Sequence, residues 1–225
     1  MQRNLKKFPY QPLSRESIDG ARLYDTPTGK LPSVTTILSA TQSEDSKQGL
    51  AAWRERVGEQ QALAITTEAA NVGTIMHEIL EHWLLGTEYN PGNNMIHRQA
   101  KIMADVIKKN IEPDISEIWG CEVNLYYPEL YAGTSDVLGV YKGKPTIMDF
   151  KQANKPKKRE WISNYFHQGT AYGTAHNEVY GTSINSLGIF VCTRAGEFQL
   201  FDAHGDEFDH YAVEWAKKLE EYYSL

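Results

Sequence analysis

The sequence predicts an α/β fold: a central mixed β-sheet flanked by helices, with an added helical N-terminal region. Three observations carry that expectation. Helix-forming stretches dominate residues 32–112. Strand-like runs separated by turn signals follow at 116–127, 131–141 and 144–152. Helix and strand then alternate to the C-terminus. With 225 residues, 41% hydrophobic and 23% charged, the chain suits one globular domain over 1–225 with a full core.

Residues 1–31, rich in Pro, Gly and Asp, read as an irregular arm with a short hairpin through Asp25–Gly29. Ser33 caps a short helix over 34–39. A helix over 47–64 follows, then one over 68–85, capped by Thr67 and stopped by Gly86. A further helix over 93–110 ends before Pro113. Residues 32–112 thus form a helical part, and 113–225 a mixed-sheet core. In that core Pro128-Glu129 and Lys142-Gly143-Lys144 turn the chain between the first three strands. A helix over 163–179, strands at 184–193 and 197–202 and an amphipathic helix over 206–223 complete it.

The net charge of −6 excludes a protein that grips nucleic acid over its whole surface. It is unevenly spread: residues 142–159 hold seven Lys and Arg against Asp149 alone. An acidic body with one basic mouth suits local capture of a strand. Cys121 and Cys192 have neither zinc nor disulfide-framework spacing and read as free thiols in a reducing compartment. No apolar run is long enough to span a membrane, and Met1–Phe8 lacks the apolar stretch of a secretory signal.

The strongest chemical signal is Asp149-Phe150-Lys151 at the end of a strand. Alternation puts Asp149 and Lys151 on one side and Phe150 on the other. A hairpin through Lys142-Gly143 brings Asp136 beside Asp149, within one or two residues of register. Two adjacent carboxylates repel unless a cation lies between them, and oxygen ligands favour Mg²⁺ or Mn²⁺. The lysine can orient or deprotonate a water or steady charge on a phosphoryl oxygen. D-x-K alone is common, and solvated strand-end acids are its ordinary reading.

His77 borders an apolar helix stripe of Val72, Met76, Ile79, Leu80 and Trp83. Gly73 one turn before allows close approach of a neighbouring element, and Glu81 one turn after can orient the ring. His77 is a third candidate ligand, a nitrogen that tilts preference towards Mn²⁺. Glu122 on the first strand reads as a packing or surface residue that can also touch the site. After the Asp149 strand come Lys155, Lys157 and Lys158, then Trp161, Tyr165 and Phe166, with Gln168 and Tyr172 on one helix face. Basic residues interleaved with aromatics suit unpaired bases.

In this order, His77, Asp136, Asp149-x-Lys151 and Gln168-x-x-x-Tyr172 resemble the PD-(D/E)XK nuclease superfamily in its RecB-like branch. The likeness is to the mitochondrial genome-maintenance exonuclease family and its phage and bacterial relatives. Pro32-Ser33-Val34-Thr35-Thr36-Ile37-Leu38, Gly73-Thr74-x-x-His77-Glu78, Lys155-Pro156 and Leu219-Glu220-Glu221-Tyr222-Tyr223 look similar too. The resemblance implies a hydrolase: a DNA exonuclease using one or two Mg²⁺ or Mn²⁺ ions, acting on single strands threaded past the N-terminal helices. It implies ligands at His77, Asp136, Asp149 and the Phe150 backbone carbonyl, and catalysis through Asp136, Asp149, Lys151 and His77. It implies DNA contact or site support by Gln168 and Tyr172; Lys155, Lys157, Lys158 and Trp161 are the further DNA-binding candidates. Ser135 replaces the proline of the superfamily's name, and the second acid is Asp rather than Glu.

A structure-specific or junction endonuclease of the same fold, and a catalytically silent DNA-binding module, are the rival readings. The expected setting is DNA replication, repair or recombination, or phage DNA metabolism. With no mitochondrial presequence visible, the expected place is the cytoplasm of a bacterium or phage-infected cell. No obligate protein partner is evident.

Overall fold

The structure, a computed structural model, describes residues 1–225. Strand β1 (Gln2–Arg3) is followed by β2 (Arg15–Ile18), β3 (Ala21–Thr26) and β4 (Gly29–Pro32). Helices α1 (Val34–Ala40), α2 (Glu44–Val57), α3 (Glu59–Leu85) and α4 (Met95–Ile111) come next. The rest is β5 (Ile115–Tyr127), β6 (Tyr131–Tyr141), β7 (Lys144–Ala153), α5 (Ser163–Tyr180), β8 (Ser186–Thr193), β9 (Phe198–His204) and α6 (Asp206–Tyr223).

The main sheet runs β1-β5-β6-β7-β8-β9. Its β1–β5 and β7–β8 pairs are parallel and the others antiparallel, so it is mixed. A parallel neighbour needs a crossover, and α5 supplies the one from β7 to β8. Period-two alternation sorts the strand residues between two cores. Leu138, Ile147, Leu187, Ile189 and Val191 face α1, α5 and α6, where Ile37, Phe166, Ala171 and Trp215 are buried. Val137, Met148, Phe150, Phe190 and Cys192 face α3 and α4, meeting Met76, Leu80, Met103 and Ile107. Burying a side chain such as Met76 or Leu80 contributes about 1.5–3 kcal/mol. Trp83, placed by periodicity in the apolar stripe, is half-buried at its border, and Leu84 takes the buried position.

Two expectations are corrected. The long helices do not break near Thr67; that residue lies inside α3. The break is at Gly58, whose backbone (φ +84°, ψ 144°) leaves helical space in a region open to glycine. Residues 1–31 are not an irregular arm throughout. Residues 15–32 form a three-stranded antiparallel sheet, in which the hairpin at Asp25–Gly29 is one turn. Tyr24 and Leu31 bury a small core with Ala132 of β6, and this docks the arm on the main sheet.

Candidate active site

The β6–β7 hairpin places the two aspartates. Val137 pairs with Met148 and Leu138 with Ile147, so Asp136 and Asp149 fall opposite one another at the next position. The Phe150 N–H donates to Asp136 Oδ2 at 2.8 Å, which fixes that carboxylate across the strands. Asp149 is buried and Lys151 half-buried beside it. Lys151 Nζ lies 2.6 Å from each Asp149 oxygen, but only Oδ1 has hydrogen-bond alignment. Oδ2 is left buried with no aligned donor. Burial pushes the Asp149 carboxyl above its usual range and Asp136 adds to this, against the pull of Lys151. Burial also acts to lower Lys151, but Asp149 and Asp136 outweigh it and its pKa is raised.

His77 reaches this pair of aspartates from α3. Its Nε2 lies 2.9 Å from the Phe150 carbonyl, which can only accept, so Nε2 carries the proton there. Nδ1 then faces Asp136 Oδ2 at 3.6 Å and Glu122 Oε1 at 3.9 Å. Burial lowers the imidazole pKa, yet Asp136 and Glu122 more than reverse this, leaving it at about 9. The surroundings of Nδ1 therefore favour positive charge.

Glu122, exposed on β5, joins this group as well, the second of the two readings open to it in sequence. Ligand atoms of His77, Glu122 and Asp136 all lie within 4.8 Å of one another. In β5, Cys121 pairs with Val137 and Val123 with Ser135, so Glu122 falls opposite Asp136. There Glu122 takes φ +48°, left-handed space that a residue with Cβ occupies only under constraint. A cleft of about 480 Å³ opens beside the group, lined by Arg15, Gly73, Thr74, His77, Glu78, Glu81 and Glu122. Glu81 thus faces the same cleft as His77 but makes no hydrogen bond to the ring. A Cβ at Gly73 would meet Gln152 Cγ at an ordinary 3.5 Å, so close packing does not demand glycine there.

This donor set suits a hard divalent cation. It offers one imidazole nitrogen, clustered carboxylates and a buried carboxylate oxygen lacking an aligned donor. His77, Glu122 and Asp136 are the residues grouped closely enough to hold it; Asp149 lies outside that group, with its oxygens on Lys151. The Phe150 carbonyl is already engaged by His77.

The following segment divides. Lys155, Lys158 and Trp161 are exposed where the chain leaves β7, with Lys158 Nζ 5.1 Å from the centre of the Trp161 ring. Lys157 is half-buried, its backbone held by both ends of the Gln199 amide. Of the interleaved aromatics only Trp161 is exposed. Phe166 is stacked on Tyr211 at 4.5 Å, and Tyr165 is half-buried with its ring centre 5.1 Å from Lys151 Nζ. Tyr172 is buried as well, which removes it from direct DNA contact. Its hydroxyl accepts from Gln168 Nε2 at 3.2 Å, and its ring packs where a Cβ on Gly133 would stand 2.7 Å away. Ser135 is fully buried and its hydroxyl has no partner.

No family model matches the chain. It is 27% identical over 207 residues to mitochondrial genome maintenance exonuclease 1 of Xenopus tropicalis, across 86% of this chain and 58% of that protein. The Mus musculus protein of the same name is 28% identical over 206 residues, across 85% of this chain and 59% of the relative. The chain therefore spans less than two thirds of the length of these curated relatives. Among solved structures, an alkaline exonuclease from Laribacter hongkongensis aligns with a TM-score of 0.39 and 13% identity, over 69% of this chain and 83% of that one. In its mixed sheet flanked by helices, and in the histidine, paired acids and lysine gathered where the β6–β7 pairing stops, the chain resembles the PD-(D/E)XK nucleases.

Proposed function

We propose that this chain is a divalent-metal-dependent deoxyribonuclease that degrades DNA from an end and prefers single strands, in DNA replication, repair or recombination or in phage DNA metabolism. The observation that carries the reading is the meeting of Asp136, Asp149, Lys151 and His77 where the β6–β7 pairing stops, beside an open cleft. The names of the relatives support it.

When bound, a Mg²⁺ or Mn²⁺ ion supplies positive charge for a phosphoryl oxygen and a water of lowered pKa. His77 Nδ1, Glu122 and Asp136 would hold it, and the Asp149 oxygen without an aligned donor would turn to it. The Phe150 peptide holds two of these in place: its N–H fixes Asp136 and its carbonyl fixes His77. Lys151 Nζ, braced by Asp149, donates to the attacking water or to the phosphoryl oxygen that gains charge. Lys155 and Lys158 attract the backbone, Trp161 offers a ring face for an unpaired base, and Gln168 with Tyr172 supports the sheet beneath Asp136.

Linear and circular single-stranded DNA, each incubated with Mg²⁺, Mn²⁺ or EDTA, test the proposal. Shortening of the linear strand from a labelled end with a divalent ion, and an intact circle, are expected. A nicked circle would make the enzyme an endonuclease. Degradation that continues unchanged in EDTA would remove the metal from the account.

A further inference from the structure

We propose that Arg15 is a substrate-binding residue, whose guanidinium takes a backbone phosphate of the single strand as it enters the cleft beside His77 and Glu122. The inference rests on the nuclease reading above and adds a residue from the N-terminal sheet to it. Arg15 opens β2 and lines the cleft together with Glu78, Glu81 and Glu122. Despite these carboxylates, its side chain forms neither an ion pair nor a hydrogen bond. Lys30 of the same small sheet, in contrast, is paired with Glu16.

The fold fixes where Arg15 stands. Two residues before it, the Leu13 N–H donates to Asn124 Oδ1 at 2.8 Å, and Asn124 lies two residues beyond Glu122. Across the β2–β3 ladder Arg15 pairs with Tyr24. The Tyr24 hydroxyl is 3.0 Å from Thr134 Oγ1, two residues before Asp136. Asn124 Nδ2 closes this frame on Thr134 Oγ1 at 2.9 Å. The small sheet thus carries Arg15 in register with β5 and β6, the strands of Glu122 and Asp136.

Chemistry assigns the ligand. A cleft lined by glutamates repels a phosphodiester, and an unengaged cation at its edge offsets that repulsion. A guanidinium presents a planar fork of donors that fits two phosphate oxygens and not a base stack. Arg15 stands on the β5–β6 side of the proposed ligands, whereas Lys155 and Lys158 leave from β7. Contacts from both sides would hold a strand across the ligands.

The test measures binding without turnover. Full-length protein carrying Lys151→Ala, first checked for loss of cleavage, is titrated with a dye-labelled oligothymidylate in Mg²⁺ by fluorescence anisotropy. The measurement is repeated with Arg15→Gln and Arg15→Lys added, at several salt concentrations, with folding verified by circular dichroism. Arg15→Gln is expected to weaken binding about tenfold, the scale of one charge-assisted contact. It should also make the slope of log K against log salt shallower by about 0.7, one fewer phosphate neutralised. Arg15→Lys should keep the slope and recover part of the affinity. Unchanged affinity and slope in folded Arg15→Gln would overturn the assignment and leave the nuclease reading standing. Should Arg15→Gln fail to fold, an Arg15→Lys variant with a shallower slope would overturn it as well. A folded Lys151→Ala parent that does not bind the oligonucleotide would overturn both.

Discussion

Glu122 is held at φ +48° in the middle of a strand. Left-handed backbone costs a residue with a Cβ roughly 1–2 kcal/mol, and glycine largely escapes that cost. Glu122→Gly is therefore expected to raise the unfolding free energy of the metal-free protein by about 1 kcal/mol in urea titrations. The same change should weaken Mn²⁺ binding, read by calorimetry, by about tenfold or more. A glycine variant that is less stable, or that binds Mn²⁺ as tightly as the parent, would contradict a role as a strained ligand. This residue also marks what single positions reveal in sequence. Asp136 and Asp149 were legible because a hairpin of readable length sets their register. Glu122 was legible only as a residue that can touch the site, because its partner register and its positive φ both come from tertiary pairing. Arg15 was hidden for the same reason: its neighbours at the site are distant in sequence.

The element that braces the site from beneath is α5. It approaches β6 where Gly133 leaves room for the buried Tyr172 ring; a Cβ there would stand 2.7 Å from Tyr172 Cε1 and 3.0 Å from its hydroxyl. A buried ring cannot swing aside, so Gly133→Ala should cost about 1–3 kcal/mol in denaturant unfolding. Wild-type stability in this variant would show that the helix can shift freely.

At the other end of α5, His176 ties the N-terminal arm through Tyr10 at 2.9 Å and the loop after α5 through Thr182 at 2.8 Å. Burial pushes its pKa down to about 4. A histidine depressed in the folded state leaves the unfolded chain binding more protons below its own pKa. Stability is then fully present above about 6.5 and falls as pH drops towards 4. Buried His167, also lowered, acts in the same direction. His77 and Asp149, both raised, act in the opposite sense, so the His176 contribution is read as a difference: between pH 7 and 5 the melting temperature of the parent should drop relative to that of His176→Gln, and parallel profiles would place the effect elsewhere. Most element boundaries were readable from periodicity and turn residues. The small N-terminal sheet was not, because its strands are short and exposed and are held by docking on Ala132 and Thr134.

Across the whole molecule the charge is less concentrated than the sequence window implies. Lys142 and Lys144 sit at the turn that begins β7, and Lys142 pairs with Asp114. Seven residues of strand, roughly 23 Å at the usual rise, separate Lys144 from Lys151. The basic surface near the site thus reduces to the Lys155–Lys158 segment and Arg15, within an acidic body. About three or four phosphate contacts imply a log–log salt slope for single-stranded DNA of about −2 to −3. A slope steeper than about −5 would reveal cations outside this surface.

The central claim is that Asp149 and Lys151 form the reacting centre and do not merely anchor a strand end. Its most direct measurement is cleavage of end-labelled single-stranded DNA in Mg²⁺ by Asp149→Ala and Lys151→Ala proteins whose folding has been verified. Both are expected to lose cleavage by at least about a hundredfold, the scale of one lost transition-state donor. Cleavage retained at the parental rate by either folded variant would contradict it.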